Sequence, residues 1–231
     1  MSGPSVGMEQ EAAYRRIWQT FRTYTHVVDG RHDNPDWRSR SGSFVMAIIR
    51  VPVDVLRVDQ LARCRAELAA FPFVRVHPDA FLHVTLQELG FLVETPQRPD
   101  EISPLRLEEF TAAAAEAVAE RRPFEIGLGG VNSFQDAAFL EVRDDGACAP
   151  IHQRLFELAA IPRAPRFAYL PLVTLAHYTA EAPTLRLAET LQHWRDADFG
   201  SFPVQEIEIV TLRVDESYPE LESYAIVPFG D

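Results

Sequence analysis

Apolar residues recur along this chain with two periods, and the change from one to the other predicts alternating strands and helices. Nearly continuous apolar runs, rich in β-branched residues, predict strands, and apolar residues three or four positions apart predict amphipathic helices. In the first half the pattern predicts helices at 8–26, 59–70 and 106–122 and strands at 44–53, 73–76 and 81–89. The last of these helices ends before Pro123, which cannot continue it.

The second half repeats this alternation with different residues. Its pattern predicts helices at 150–160 and 183–197 and strands at 124–128, 138–143, 170–177, 204–214 and 223–228. We expect the first two strands of this half to be joined through Gly129, Gly130 and Asn132. Two similar halves predict an α+β fold that is internally duplicated, with two antiparallel sheets around a central cleft and helices outside. No linker is evident within 44–231, so we predict one domain there, preceded by a helical extension and loop at 1–43.

Composition narrows the classes of function. The chain has 231 residues, 47% of them hydrophobic, and a formal net charge of -12, which argues against a general electrostatic grip on nucleic acid. All 22 basic residues are arginine, which excludes Schiff-base and P-loop lysines. The two cysteines are far apart and do not have metal-ligand spacing. Without a secretory signal or a long apolar segment, we expect a soluble cytoplasmic protein.

The stretch FLHVTLQELGF, residues 81–91, carries the clearest chemical signal. In a strand, His83 and Thr85 project from the same face. An imidazole transfers protons near neutral pH, and a hydroxyl beside it can hold a phosphate oxygen. A strand histidine that only donates a structural hydrogen bond is the alternative.

A related stretch lies at the equivalent place in the second half. In YLPLVTLAHYT, residues 169–179, alignment on Val-Thr-Leu matches Thr174 with Thr85. Leu172 then stands where His83 stands in the first half. The second copy therefore keeps its hydroxyl but lacks the histidine.

From about Phe44 to the end, the chain resembles the two-histidine (2H) phosphoesterase superfamily, which includes 2'-5' RNA ligase-like proteins and 2',3'-cyclic nucleotide phosphodiesterases. The resemblance implies two His-x-Thr motifs facing each other across a cleft, with one histidine as general base and the other as general acid, and no metal or other cofactor. It gives His83 and Thr85 the roles of the first motif and Thr174 the second hydroxyl role. Leu172 cannot transfer a proton.

Three consequences of Leu172 remain open. The first is that another group substitutes for the missing histidine. The second is that His83 alone supports slow phosphoryl chemistry. The third is that the cleft binds its ligand without turnover. His177 is the nearest candidate substitute, but it has the opposite strand parity to Leu172 and is expected to face away unless a β-bulge intervenes. Tyr178 has the right parity but lies too far along the strand to replace residue 172. His77 and His152 are candidates only if the fold brings them near.

Further side chains are candidates for holding substrate. Arg166 and Tyr169 precede the second motif, where arginine can pair with phosphate and an aromatic ring can stack on a base; Tyr178 completes this predicted set. Arg31, Trp37, Arg38 and Arg40 form a similar basic and aromatic combination in 29–42, for which a solvated surface loop is the favoured interpretation and a nucleotide clamp the alternative. Glu206, Glu208 and Asp215 are interpreted as a solvated strand face.

The leading prediction is a metal-independent phosphodiesterase. Its partner is a nucleotide or RNA end that carries a cyclic or 2'-5' phosphodiester. The alternative is a non-catalytic protein of the same fold that binds nucleotides or RNA ends. A weaker alternative is an interaction scaffold that uses the N-terminal helix.

Overall fold

The computed structural model describes residues 6–30, 40, 42–52, 59–161 and 168–230. Five α-helices lie in these ranges: α1 Val6–Phe21, α2 Asp59–Ala69, α3 Pro104–Val118, α4 Cys148–Ala159 and α5 Leu185–His193. Helix α3 illustrates how local sequence sets a boundary, since the Ser103 hydroxyl accepts the Arg106 N–H at 3.2 Å and Pro104 occupies the first turn. None of the helices described is long and apolar enough to cross a bilayer.

The strands are mostly antiparallel. They are β1 His26–Val27, β2 Ser43–Arg50, β3 Val74–Val76, β4 His83–Leu92, β5 Glu101–Ile102, β6 Phe124–Ser133, β7 Ala137–Arg143, β8 Leu172–Tyr178, β9 Ala182–Pro183, β10 Ser201–Val204, β11 Glu206–Arg213 and β12 Glu222–Pro228. Strands β1 and β9 form a separate small sheet. The predicted α+β class with antiparallel sheets is confirmed, and the parallel pair β4–β5 is a short addition to it.

The main sheet consists of two groups of four strands that meet at its centre. The strand order is β10-β6-β7-β8-β4-β2-β11-β12, with β3 also pairing with β8. Strands β8 and β4 come from the two predicted halves, and they pair through Val84 and Val173. The two stretches with matching Val-Thr-Leu therefore lie side by side at the centre of the sheet.

The sheet buries apolar residues on both faces. On the helix face, α2 to α5 pack on inward-pointing strand residues in a large core that includes Leu61, Phe110, Leu155, Leu191 and Val84. The other face is called the cleft face here, because it carries His83, Thr85, Leu172 and Thr174. A smaller apolar cluster lies on the cleft face of β2 and β11: Phe44, Met46, Ile48, Val210 and Leu212.

Helix α1 covers part of the cleft face. Asn132, Phe139 and Thr174 are cross-strand partners on β6, β7 and β8, so their side chains share that face. The Asn132 amide donates to the Tyr14 carbonyl at 2.9 Å, and the rings of Tyr14 and Phe139 are 6.3 Å apart. The Tyr14 turn of the N-terminal helix thus packs on the β6–β7 part of the cleft face.

One sequence prediction about the second half was wrong, and one strand there was not predicted. Gly129 and Gly130 lie inside the continuous strand β6, where the register with β7 shifts between Leu128 and Val131, and they do not form a turn. A Cβ on Gly130 would lie 1.7 Å from the Arg195 carbonyl, so the glycine allows a close approach of backbone. Strand β10 at the sheet edge was not predicted, because its four residues SFPV are too short to show a period.

Candidate functional site

The site is centred on the pairing of β4 with β8. Because the strands are antiparallel and Val84 pairs with Val173, the register brings His83 beside Thr174 and Thr85 beside Leu172. All four of these side chains are half-buried, whereas the two valines are fully buried on the helix face. The cleft face thus carries one imidazole, two hydroxyls and one leucine close together.

His83 is oriented by a hydrogen bond to backbone. Its Nδ1 lies 2.7 Å from the Phe81 carbonyl, which can only accept, so Nδ1 carries a proton and donates it. In the neutral ring Nε2 is then unprotonated. Burial lowers the pKa of His83 to about 4, the Phe81 carbonyl opposes this shift, and the nearby Arg50 cation adds to it. At neutral pH, His83 is an uncharged base that can accept a proton at Nε2.

An ion pair stands next to His83 on the cleft face. Arg50 is its cross-strand neighbour on β2. The Arg50 Nε and Nη2 each lie 2.8 Å from a Glu208 carboxylate oxygen. The prediction that Glu208 belongs to a solvated face was wrong, because this carboxylate pairs with Arg50 and its side chain is only 14% exposed. Strand parity alone indicates a shared face for residues of one strand, but it cannot identify a partner 158 positions away.

A β-bulge in β8 changes which side chains face the cleft. Strand β7 pairs Phe139 with Thr174 but Ala138 with Ala176, so Leu175 is an extra residue. Ala137 then pairs with His177, which puts His177 on the same face as Thr174 and Leu172. The sequence predicted that His177 faces away from the cleft unless a β-bulge intervenes. The bulge is present, so His177 lies on the cleft face.

The same bulge turns Tyr178 away from the cleft. Its side chain is fully buried, and its hydroxyl lies 2.6 Å from the Ser133 hydroxyl. The predicted parity of Tyr178 was therefore wrong, and burial in the core leaves its side chain no position from which to contact a substrate.

Two further histidines lie near His83. Strand β3 lies along the same edge of β8 as β4 does, and the backbone N–H of His77 donates to the Leu175 carbonyl at 2.9 Å. His77 Nε2 is 2.9 Å from His177 Nδ1, and the two ring centroids are 4.8 Å apart. His77 is 2% exposed, and burial is the main cause that lowers its pKa far below the usual range, with His177 and His83 contributing. Burial also lowers the pKa of His177, while Asp136 and Asp29 oppose that shift.

Aromatic rings enclose this histidine group. The Phe81 ring is 5.3 Å from that of His77 and 5.5 Å from that of His83. The Tyr218 ring, from the connection between β11 and β12, is 4.6 Å from the His77 ring. No pattern in the sequence indicated Tyr218, because the contact depends on a connection that returns over the cleft from the far end of the chain.

The other predicted side chains have different positions. His152 lies on α4, and its Nδ1 is 2.6 Å from the Leu86 carbonyl. Tyr169 stacks on His152 with centroids 4.1 Å apart and donates to the Thr85 carbonyl at 3.2 Å. Both therefore support the backbone of β4 where β8 no longer pairs with it. Arg166 and the loop residues Arg31, Trp37 and Arg38 lie outside the described residues.

Arg40, the remaining basic residue of that predicted loop, is held by carboxylates. Its guanidinium pairs with Asp100 and Glu101 and lies 4.2 Å from the centre of the Phe91 ring. Within the described ranges, no group of three histidine, cysteine, aspartate or glutamate residues is arranged to hold a metal ion.

Comparison with protein families places this geometry in a wider context. The family model described as the 2'-5' RNA ligase superfamily matches residues 52–216. These residues include β4 and β8 with both Thr85 and Thr174. Among the curated proteins compared, none matches the chain.

Solved structures resemble the chain in fold. The protein TT0787 of Thermus thermophilus superposes with a TM-score of 0.61 at 19% sequence identity, covering 81% of this chain and 99% of that one. E. coli LigT complexed with 3'-AMP gives 0.61 at 16%, covering 82% and 99%, and LigT complexed with ATP gives 0.59 at 17%, covering 82% and 99%. At these identities the similarity is one of fold.

Proposed function

Because this chain belongs to the 2'-5' RNA ligase superfamily, we propose that it is a phosphodiesterase acting on a 2',3'-cyclic phosphate or on a 2'-5'-linked nucleotide or RNA end. The observation that carries the proposal is the group of His83, Thr85 and Thr174 on one face at the β4–β8 pair. An acid/base group with hydroxyls beside it suits in-line attack on a phosphodiester.

Each residue of the group has a role in this proposal. The Thr85 and Thr174 hydroxyls donate to the non-bridging phosphate oxygens. His83, neutral at physiological pH with an unprotonated Nε2, takes the proton of the attacking water. The reaction as proposed uses no metal ion.

A second candidate function follows from Leu172. Its half-buried apolar side chain lies beside Thr85, where the first motif would lead one to expect a second imidazole. Loss of one proton-transfer group lowers rates by about 10²–10⁴-fold. The alternative is therefore a protein that holds a nucleotide or RNA end without cutting it. The LigT structures contain 3'-AMP, ATP or NADP+, which supports nucleotides as the ligand class under either function.

The experiment is hydrolysis of 2',3'-cyclic nucleotides and 2'-5'-linked dinucleotides in EDTA by the wild type and by His83→Ala. We expect kcat/KM to fall about 10²–10⁴-fold in the variant, because no other group at that position accepts the proton. His193→Gln, which changes an exposed histidine at the end of α5, is the matched control and is expected to keep wild-type activity.

Two outcomes would count against this assignment. Equal activity of His83→Ala and the wild type would remove His83 from the mechanism. A wild type that binds 3'-AMP but turns over no substrate in the panel would favour the binding protein over the enzyme.

A further inference from the structure

We propose that His177, turned onto the cleft face by the bulge at Leu175 and held by His77, supplies the second proton-transfer group that Leu172 cannot. This inference rests on the proposed phosphodiesterase function. It names a catalytic residue at a position outside the repeated His-x-Thr pattern.

The register carries the argument. His83 lies beside Thr174, and Thr174 has two neighbours on its own strand and face. One is Leu172, two residues before Thr174. The other is His177, three residues after Thr174 in sequence, which takes the next position on the same face because Leu175 is the extra residue of the bulge. Diagonal neighbours on adjacent strands are about 7–8 Å apart. A histidine at 177 thus stands about as far from His83 as a histidine at 172 would, on the other side of the same threonine.

The pairing with His77 orients the His177 ring. His177 Nδ1 is occupied by the 2.9 Å contact with His77 Nε2, and no residue in the described ranges hydrogen-bonds His177 Nε2. The backbone N–H of His77 donates to the Leu175 carbonyl, and the rings of Phe81 and Tyr218 contact the His77 ring. His177 therefore presents Nε2 for proton transfer, and His77 acts as a positioning residue.

The charged groups near His177 and His83 indicate which histidine acts as acid and which as base. Asp136 and Asp29 oppose the effect of burial on the pKa of His177, whereas Arg50 adds to that effect at His83. Arg75, across from His177 on β3, is exposed and lies over the Tyr218 ring. The two carboxylates favour the protonated form of His177 and the Arg50 cation disfavours that of His83, so His177 suits the acid and His83 the base. Neutral His77 can accept the Nδ1 hydrogen of a protonated His177.

The step is balanced with water as the nucleophile. Water oxygen forms a bond to phosphorus and gives its proton to His83 Nε2. The bond from phosphorus to one ribose oxygen of the cyclic phosphate breaks, and that oxygen takes the proton from His177 Nε2. The product is a phosphomonoester, and exchange of protons with solvent restores both histidines.

The decisive variant is His177→Gln, assayed with the same substrates and with His193→Gln as control. We expect kcat to fall about 10²–10⁴-fold while KM changes less than threefold, because glutamine fills the position without transferring a proton. Adding Leu172→His to the His177→Gln variant is expected to raise kcat at least tenfold above that of the single variant, since position 172 lies about as far from His83 as position 177 does.

The outcomes separate this inference from the proposed function. If wild-type turnover depends on His83 but the kcat of His177→Gln lies within threefold of the wild-type value, the role of His177 is overturned. The phosphodiesterase assignment then stands. A folded wild type with no turnover on any substrate would overturn both. Circular dichroism and binding of 3'-AMP establish that each variant is folded and binds nucleotide.

The positioning role of His77 has its own test. His77→Phe removes the acceptor for protonated His177, so we expect the basic limb of the kcat–pH profile to move to lower pH with KM nearly unchanged. His77→Gln keeps an amide oxygen as acceptor and is expected to restore the limb. A profile for His77→Phe that coincides with that of the wild type would overturn the role.

Discussion

Three imidazoles gather at one end of the cleft, and their surroundings disfavour the protonated form of each ring. Burial lowers the pKa of His83 to about 4 and shifts His77 and His177 in the same direction. His77 also lies close to the Arg65 side chain, which donates to its carbonyl from α2. Two neutral rings share one hydrogen bond without repulsion, whereas two imidazolium ions would repel each other at 2.9 Å.

This arrangement predicts how stability depends on pH. Below about pH 6.5 the unfolded chain protonates these histidines, while the native protein does not until about pH 4 at His83. The unfolded state thus binds more protons in that window, so the free energy of unfolding falls as pH falls. Each histidine contributes up to about 1.4 kcal/mol per pH unit.

Urea unfolding of the wild type and His77→Gln at pH 4.5, 5.5 and 7 measures this effect. We expect the variant to lose less stability between pH 7 and 4.5, because one depressed histidine pKa is gone. His193→Gln, changed at an exposed site, is expected to keep the wild-type slope. Equal slopes for all three proteins would show that His77 does not contribute.

At the scale of elements, the bulge in β8 decides the content of the site. One extra residue, Leu175, sends His177 to the cleft face and Tyr178 into the core. Without it, Tyr178 would share a face with Thr174. The strand also depends on α1, since the Tyr14 hydroxyl donates to the carbonyl of Pro171, directly before the strand, and accepts the Val142 N–H at 3.1 Å.

This contact predicts the effect of Tyr14→Phe. The substitution leaves the buried Val142 N–H without its acceptor, and we expect a loss of about 1–3 kcal/mol in the free energy of unfolding. Tyr224→Phe, at a side chain that is 43% exposed, is expected to change stability by less than about 0.5 kcal/mol. Urea denaturation with both variants checks this, and a Tyr14→Phe variant as stable as the wild type would contradict it.

At the scale of the whole molecule, the net negative charge disfavours binding of long nucleic acids. With a net charge of -12, the protein repels a long polyanion, so any contact with a nucleic acid must be local. We expect a 2'-5'-linked dinucleotide to bind at least as tightly as a 20-nucleotide RNA, with a weak salt dependence. Competition against turnover at 50 and 200 mM salt measures this. Much tighter RNA binding that falls steeply with salt would contradict the prediction.

Helix α1, in the predicted N-terminal extension, also contributes to the structure of the whole molecule. Helix α1 precedes residues 52–216, which match the family model, yet its Tyr14, Trp18 and Phe21 side chains are buried. The division into an extension at 1–43 and one domain at 44–231 stays a prediction. The packing of Tyr14 on the cleft face nevertheless shows that residues before the family match contribute to that face.

Periodicity was sufficient to predict most of the helices and strands, because side-chain alternation is local. It also indicated that His83 and Thr85 share a face and that Thr174 is the counterpart of Thr85. It failed at Gly129 and Gly130, where a close approach of the Arg195 backbone explains the glycine. It failed again at Glu208, whose partner Arg50 is remote in sequence.

The amino-acid sequence by itself determined the α+β class and the two related halves, and it shows Leu172 where the first half carries His83. Only the tertiary structure decided which side chains surround Thr174. A bulge depends on how β8 pairs with β7, and the meeting of His77 with His177 depends on β3 and β4 sharing one edge of β8. Register between distant strands is set by packing over the whole sheet, so it cannot be read from the period of any one strand.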